Sequence, residues 1–399
     1  MNLQNKNIVI LTDPFGKPLY VPRMRFLADF LTQKGYNVEV FSEYIEPINF
    51  QHSYPITTYK FNTSKLSWAL NSLLTLLFDY KNKWFAKKVC KACQNKQIDI
   101  VLVSTSYTFP LYAGQQLAKQ HNAKLITDLR DIAEQSADNQ LISHQQWFLK
   151  PIANLYRRIN IKRRNKIIKT ADAITTISPW HQEFLRKINP HTYLIYNGYD
   201  EKEFFPAPQQ NKKFTIIYTG KIYSNTTRNP QLLFEALTQI MQTNDIPQLE
   251  INWYVDKKGQ TIIKQWAEHY NLNNIMNYHD YVPRNEINQL INQAAIVLVL
   301  SNIADNQHQH GIMTTKFYEA LGAKRPILLV RSDEECLEKI MIETNAGCAA
   351  RNTQQAKQFI KQIYKEWKNN NGVTLQNNQS ENFNRTVQSE KFINIFNQF

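Results

Sequence analysis

The chain has 399 residues, 43% of them apolar, with four cysteines and a formal net charge of +14. That length suits two domains of ordinary size with a sizeable core, and so few cysteines exclude a disulfide scaffold and fit a reducing compartment. The charge is uneven: residues 1–200 carry 26 Lys and Arg against 14 Asp and Glu, whereas residues 201–399 carry 21 against 19. A basic first half points to a polyanionic partner: nucleic acid, anionic lipid headgroups or a charged substrate.

The opening MNLQNKNIVILTD is no signal peptide, because its short apolar run ends at Asp13. NIVILT, at 7–12, reads as a buried strand. Residues 22–35 carry apolar side chains at helical spacing and stop at Gly35, and NVEVFSE follows as a second strand. Such a β-α-β start implies parallel pairing. A helical region is expected over 66–94. Its most apolar part, Leu66 to Phe78, is too short and interrupted to span a bilayer, so a cytoplasmic location is expected. Cys90-Lys-Ala-Cys93 has redox or zinc spacing, but no second pair follows, and two ordinary helix cysteines is the simpler reading. The alternation continues with strand IDIVLVST, a helix over 110–121, strand AKLITDL, helical sequence over 144–170, strand ADAITTISP, a helix, and HTYLIYNGYD at 191–200.

Residues 201–213, EKEFFPAPQQNKK, hold two prolines without periodicity and read as a linker. FTIIYTG opens a second alternating region. Helices are expected over 229–242, 260–270, 284–293, 314–321 and 333–343. Strands are expected at LEINWYV, NIMNYH, AAIVLVLS, PILLV and AGCAA. Within GIMTTKFYEALGAKRPILLV, the break is placed at Gly322 and Pro326. Helices over 353–368 and 385–397 flank an Asn- and Gln-rich loop at 369–383. The fold class is therefore α/β, two doubly wound domains. Ligands of such sheets bind at the carboxyl ends of strands, and a cleft between two domains is the natural site.

Polar residues gather where strands should end: Asp13 to Gly16, Ser104 to Tyr107, Asp128 to Asp131, Gly220-Lys221, Ser301-Asn302, and the stretch before Glu319. Lys221 and Arg228 flank a polar loop between a strand ending at Gly220 and a helix beginning near Pro230. With the N–H groups of that helix start they could hold a diphosphate, or they are two surface cations on a solvated loop. The loop has neither Walker spacing nor a dinucleotide fingerprint. In Asp128-Leu-Arg-Asp131, two carboxylates bracket Arg130. They could orient hydroxyls or a cation, or serve as a helix cap with an internal salt bridge.

Read in order, several segments resemble the GT-B glycosyltransferases, specifically the retaining family 4-like group. They are FGKPLYVPRMRFLADFLTQKGYNVEVF, ITDLRD at 126–131, ADAITTISPWHQEFL at 171–185, LIYNGYD at 194–200, IIYTGKIYSNTTRNPQLLFEAL at 216–237, YHDYVPRNEINQLINQAAIVLVLS at 278–301, and TKFYEALGAKRPILL at 315–329. The resemblance covers nearly the whole chain and rests on the order and spacing of the segments. It implies an acceptor-side Rossmann-like domain at 1–200, a nucleotide-sugar-binding one at 214–370, and a C-terminal segment, 371–399, packing back on the first. It also implies roles for residues. Glu319 would hold the ribose diol of a nucleoside-diphosphate sugar, since a carboxylate accepts two hydrogen bonds. Lys221 and Arg228 would hold the pyrophosphate after Gly220. The turn containing Gly311, Thr315 and Lys316 would meet the diphosphate or donor sugar. Gly16 would lie beside the donor phosphate, with Arg23 following at a helix start. Many relatives carry a second glutamate eight positions before the first; here that position is Gly311, with His308 and His310 just before it. Ser106 and Tyr107 occupy the first-domain strand end where the catalytic-region histidine is usual.

The implied reaction is hexosyl transfer to an acceptor hydroxyl with retention. Lys221 and Arg228 would stabilise the departing diphosphate, Asp131 would contact a hydroxyl, and no metal or cofactor would be needed, since no DxD pair ends a strand. The segments 66–90 and 147–169, the latter with seven Lys or Arg after Lys150, would suit an anionic membrane surface and a glycan or lipid-linked acceptor of envelope polysaccharide synthesis. A basic helix packed on the first sheet is the simpler alternative. Rival functions are a GT-B nucleotide-sugar 2-epimerase, which needs acid–base groups at the sugar, and a nucleic-acid-binding protein, against which the absence of a recognised motif weighs.

Overall fold

The computed structural model describes residues 6–13, 15, 22–44, 50–61, 65–135, 150–208, 213–222, 228–301, 310–331, 336–370, 372–375 and 379–399, with backbone alone at 22, 65–69 and 72. The chain divides into two compact units. One contains Met1–Tyr196 and Gln388–Phe399, the other Asn197–Val387.

The first unit runs β1 (Asn7–Thr12), α1 (Pro22–Gln33), β2 (Asn37–Glu43), β3 (Ile56–Tyr59), α2 (Lys65–Phe78), α3 (Tyr80–Ala92), β4 (Ile100–Thr105), α4 (Leu111–His121), β5 (Lys124–Leu129), α5 (Lys150–Ile168), β6 (Ala173–Thr176), α6 (Pro179–Arg186) and β7 (Thr192–Leu194). Its seven strands pair in the order β3-β2-β1-β4-β5-β6-β7, all parallel. The second unit runs β8 (Phe214–Thr219), α7 (Gln231–Thr243), β9 (Leu249–Tyr254), α8 (Lys257–His269), β10 (Met276–His279), α9 (Arg284–Gln293), β11 (Ile296–Leu300), α10 (Thr315–Gly322), β12 (Ile327–Val330), α11 (Leu337–Thr344), β13 (Gly347–Ala350) and α12 (Thr353–Asn370). Its sheet, β10-β9-β8-β11-β12-β13, is parallel as well. A last helix, α13 (Arg385–Phe396), begins in the second unit and enters the first at Gln388.

The expected alternation is therefore present as two Rossmann-like sheets flanked by helices. Helices cover both faces of a parallel sheet, so its central strands are apolar throughout rather than alternating. IVLVST of β4, FTIIYT of β8 and IVLVL of β11 are buried at every position. One face of the first sheet packs Val9, Leu11, Val101 and Val103 against Phe85, Val89 and Leu117. The other packs Ile8, Ile10 and Leu102 against Met24, Leu27 and the C-terminal Phe392 and Phe396.

Local differences from the sequence reading have identifiable causes. The helical region expected over 66–94 is two helices, because Asp79 takes the left-handed conformation (φ 57°) and its carboxylate accepts from Asn82 Nδ2 at 2.8 Å. Strand β3 was not expected: ITTY has no alternation, and it forms an edge strand paired with β2 alone. Helix α8 starts earlier than expected, where Asp256 accepts from Gly259 N at 2.8 Å and caps it.

A polar row crosses the first sheet near the strand ends. Register sets Ser104 opposite both Thr12 and Asp128, and Asp128 opposite Thr175. Asp128 is fully buried and accepts from Ser104 Oγ (2.8 Å), Thr175 Oγ1 (2.7 Å) and Arg23 Nη2 (2.9 Å). Arg23 also donates to Ile195 O at 2.7 Å. This carboxylate therefore ties β4, β5, β6 and α1 together. Replacing Asp128 with Asn leaves Arg23 buried without its counter-charge. We expect a loss of about 3–5 kcal/mol, read as a lower urea midpoint with an unchanged slope.

Candidate functional site

At the carboxyl end of the second sheet, β8 stops at Thr219 and the chain turns at Gly220, whose φ of 149° favours glycine. A side chain there is excluded for a second reason: a Cβ would collide with Cε of Lys316. Lys316 thus lies over the bare Cα of Gly220, although the two are far apart in sequence. The turn is held by the carbonyl of Lys221, which accepts from Tyr218 Oη at 3.1 Å and Arg228 Nη1 at 2.9 Å. Arg228 itself has a left-handed backbone (φ 59°).

Helix α10 brings Lys316 and Glu319 onto one face, because residues three apart in a helix are neighbours. Thr314 stands at its N-cap without closing it by a side-chain hydrogen bond, and an open helix start favours anions. Gly311, before it, is buried with φ 64°. Burial holds the Lys316 ammonium below the usual lysine range; Glu319 opposes this, and the cations Arg228 and Arg284 add to it. Glu319 is 8% exposed, and its Oε1 accepts from Arg284 Nη1 at 3.2 Å. Several cations around one nearly buried carboxylate suit an anionic ligand that also offers hydroxyl donors.

Of the residues singled out from sequence, Gly220, Lys221, Arg228, Gly311, Thr315, Lys316 and Glu319 belong to the second unit. Lys316, expected with its turn to meet the diphosphate or donor sugar, packs its side chain on Gly220. Gly16 and His308 lie outside the described residues. Arg284 was not singled out. Its only sequence signal is its place after Pro283 at the start of a helix.

Asp131 belongs to the first unit, at the end of β5. Beside it, Asp13 Oδ2 accepts from Arg130 Nη2 at 2.6 Å and from Ser106 N at 3.2 Å. Burial raises the pKa of both Asp13 and Asp131, and Arg130 opposes the rise in each. Burial, then Asp131 and Asp13, raises that of Tyr107 as well. The segment after Asp131 is fixed from behind: Arg164 grips Glu134 through two hydrogen bonds of 2.8 and 2.5 Å, and Arg157 donates to Ala133 O. Among the described residues no group of three His, Cys, Asp or Glu could hold a metal ion. Cys93 is buried at the C-cap of α3, its thiol pushed up to about 11 by burial, and none of the four cysteines forms a disulfide.

The family model described as Glycosyltransferase Family 4 matches residues 23–203. No curated protein matches the chain in sequence. Among solved structures, it is similar to a sucrose-phosphate synthase from Thermosynechococcus elongatus, with 17% identity and a TM-score of 0.68 over 98% of this chain and 99% of that one. It is similar to HepE from Anabaena, solved in complex with UDP-glucose, with 14% identity and a TM-score of 0.62 over 98% and 100%. It is also similar to the lipopolysaccharide outer core galactosyltransferase WaaB, with 11% identity and a TM-score of 0.60 over 98% and 100%. At these identities the likeness is one of fold.

His181, on α6, is fully buried and donates from Nε2 to Gln135 Oε1 at 2.7 Å, so it helps to hold the segment after Asp131. Burial, aided by Arg164, lowers its pKa to about 4. An unfolded histidine titrates near 6.5. Below that pH the unfolded chain binds the extra proton, so the histidine's contribution to stability is present above about 6.5 and is lost as pH falls toward about 4. His181→Gln is expected to flatten that part of the stability profile, measured by urea unfolding at a series of pH values.

Proposed function

We propose that this chain, a GT-B-fold glycosyltransferase related to family 4, transfers a sugar from a nucleoside-diphosphate sugar to an acceptor hydroxyl with retention of configuration. The observation that carries the reading is the packing of Lys316 on Gly220, one helical turn from a nearly buried Glu319. Glu319 accepts from the ribose diol. Lys316, Lys221 and Arg228 meet the diphosphate, aided by the backbone at Gly220 and by the Gly311 to Thr315 approach to α10. Gly16 is assigned to the donor phosphate by resemblance alone.

In the transfer, the bond between the anomeric carbon and the diphosphate oxygen breaks, and its electron pair leaves with the diphosphate. A bond to the acceptor oxygen forms, and the acceptor proton passes to an oxygen of the departing diphosphate. Lys316, Lys221 and Arg228 counter the charge that develops on the leaving group. With these cations to meet the diphosphate, the reading includes no metal or other cofactor. Asp131 is assigned to a hydroxyl contact; its burial-raised pKa makes it a better proton acceptor than a surface carboxylate.

A screen of nucleotide sugars, starting with UDP-glucose because HepE was solved with it, should identify a donor that binds. Glu319→Ala should weaken that donor at least about tenfold with unchanged circular dichroism. Affinity in the wild type should fall on the alkaline side as Lys316 loses its proton, at a lower pH than a surface lysine would. Lys316→Met should lack that limb. A screen without any bound donor, or an unchanged Glu319→Ala, overturns the reading.

The acceptor is proposed to be a glycan or lipid-linked glycan of bacterial envelope polysaccharide, met at the inner membrane surface by a cytoplasmic, peripheral enzyme. Three features support this. Leu70, Leu73 and Leu77 recur at helical spacing on α2 and are each more than half exposed, as are Ile152 and Leu155 on α5. Arg163 of α5 donates to the carbonyls of Thr75, Leu76 and Leu77, which joins the basic helix to the end of the apolar one. No helix among the described residues is long and apolar enough to cross a membrane. Flotation with phosphatidylglycerol liposomes is expected, and little with phosphatidylcholine alone; Leu73→Glu with Leu77→Glu should abolish it.

A further inference from the structure

Among the described residues, the only hydrogen-bond partner of the Glu319 carboxylate is Arg284, the first residue of α9. The guanidinium is engaged on both sides. Nη1 donates to Glu319 Oε1 at 3.2 Å, while Nε and Nη2 lie 2.8 and 2.7 Å from Oε2 of Glu203. Its plane is backed by the buried ring of Phe204, 5.2 Å from the centroid. Glu203 and Phe204 sit on a tight turn, where their N–H groups donate to Asp200 O at 3.1 and 2.8 Å. The turn is anchored in turn, since Arg385 donates its backbone N–H to Tyr199 O at 2.8 Å and faces Asp200 at 3.8 Å.

Two other cations lie near Glu319, and neither holds its carboxylate. Lys316 is packed on Gly220, and Arg385 faces Asp200. The orientation of Glu319 therefore depends on Arg284. Oε1 is occupied, and Oε2 carries no hydrogen bond within the described structure. A planar fork with one arm on each carboxylate fixes geometry in a way a lysine cannot.

We infer that Arg284 is a positioning residue for nucleotide selection. It locks Glu319 so that Oε2 is presented to the sugar of the nucleotide, and it thereby sets a preference for ribose over 2′-deoxyribose. Glu203 and Phe204 are the support that locks Arg284. The inference rests on the donor-site reading above and extends it to a residue to which the sequence analysis gave no role. Losing a charge-assisted contact to a hydroxyl costs about tenfold in affinity.

The test compares binding of UDP, GDP and ADP with that of their 2′-deoxy forms by calorimetry, using the full chain and whichever base the wild type prefers. The wild type is expected to favour the ribonucleotide by about tenfold or more. Glu319→Ala should bring the ratio close to one, and Arg284→Met should do nearly the same. A general loosening of the fold would weaken both nucleotides alike and leave the ratio intact. Glu203→Ala, which removes the support without leaving Glu319 unpaired, should lower the ratio by a smaller factor and serves if Arg284→Met does not fold. If Glu319→Ala keeps the wild-type ratio, or no nucleotide binds, the donor-site reading itself fails. If Glu319→Ala flattens the ratio while Arg284→Met, or Glu203→Ala in its place, leaves it unchanged, the inference about Arg284 is overturned and the donor-site reading stands.

Discussion

Parallel pairing is the constraint on which the rest of this structure depends. Every strand described in either sheet runs in the same direction as its neighbours. All carboxyl ends in a sheet therefore lie along one edge, and each strand must be followed by a crossover, usually helical, before the next can pair. The same edge thus collects strand-end loops and helix starts. Asp13, Ser106, Arg130 and Asp131 meet there in the first unit, Gly220, Lys316 and Glu319 in the second. Parallel sheets are buried on both faces, which leaves that edge as the place where polar side chains gather.

Within that frame, charge divides the polar residues into two kinds. Asp128 is saturated by Arg23, Ser104 and Thr175 and holds strands together. Asp131, three residues on and outside the sheet, accepts among the described residues only from Gln135, at 3.4 Å. The second unit shows the same division. Arg325 is buried and donates to the carbonyls of Val373 and Ala207, so its charge is met by backbone dipoles. Lys316, by contrast, is half-buried, and its pKa is depressed first by desolvation and then by Arg228 and Arg284, with Glu319 opposing them. Cations gathered at the carboxyl edge of a sheet favour an anion there.

The fold was largely legible in the sequence because its signals are local. Apolar runs marked the central strands, and helical spacing marked the helices between them. Where the reading missed, the deciding contact was distant or unmarked. Gly322, where the sequence pattern places the break, is the last residue of α10, and its missing side chain makes room for the ring of Tyr199. The left-handed turn falls instead on Lys324 (φ 51°), with Arg325 N bonded to Ala320 O at 3.2 Å. Asp128 and Asp131 looked alike as a bracketing pair, since nothing in DLRD tells which carboxylate points into the sheet. Only register against Ser104 and Thr175 settles that.

By itself, the sequence determined the alternation of elements, the two-sheet α/β class, and the short list of polar residues at strand ends. Those follow from periodicity and from the chemistry of single residues, which act over a few positions. Tertiary structure alone decided which of the polar residues meet. Gly220 faces Lys316 because β8 pairs with β11, so the turn after β8 lies beside the helix that follows β11, and Arg284 faces Glu319 because α9 leads into β11 and α10 follows it. Strand order is a property of the whole sheet, set by burial of both its faces, and no short stretch of sequence encodes it.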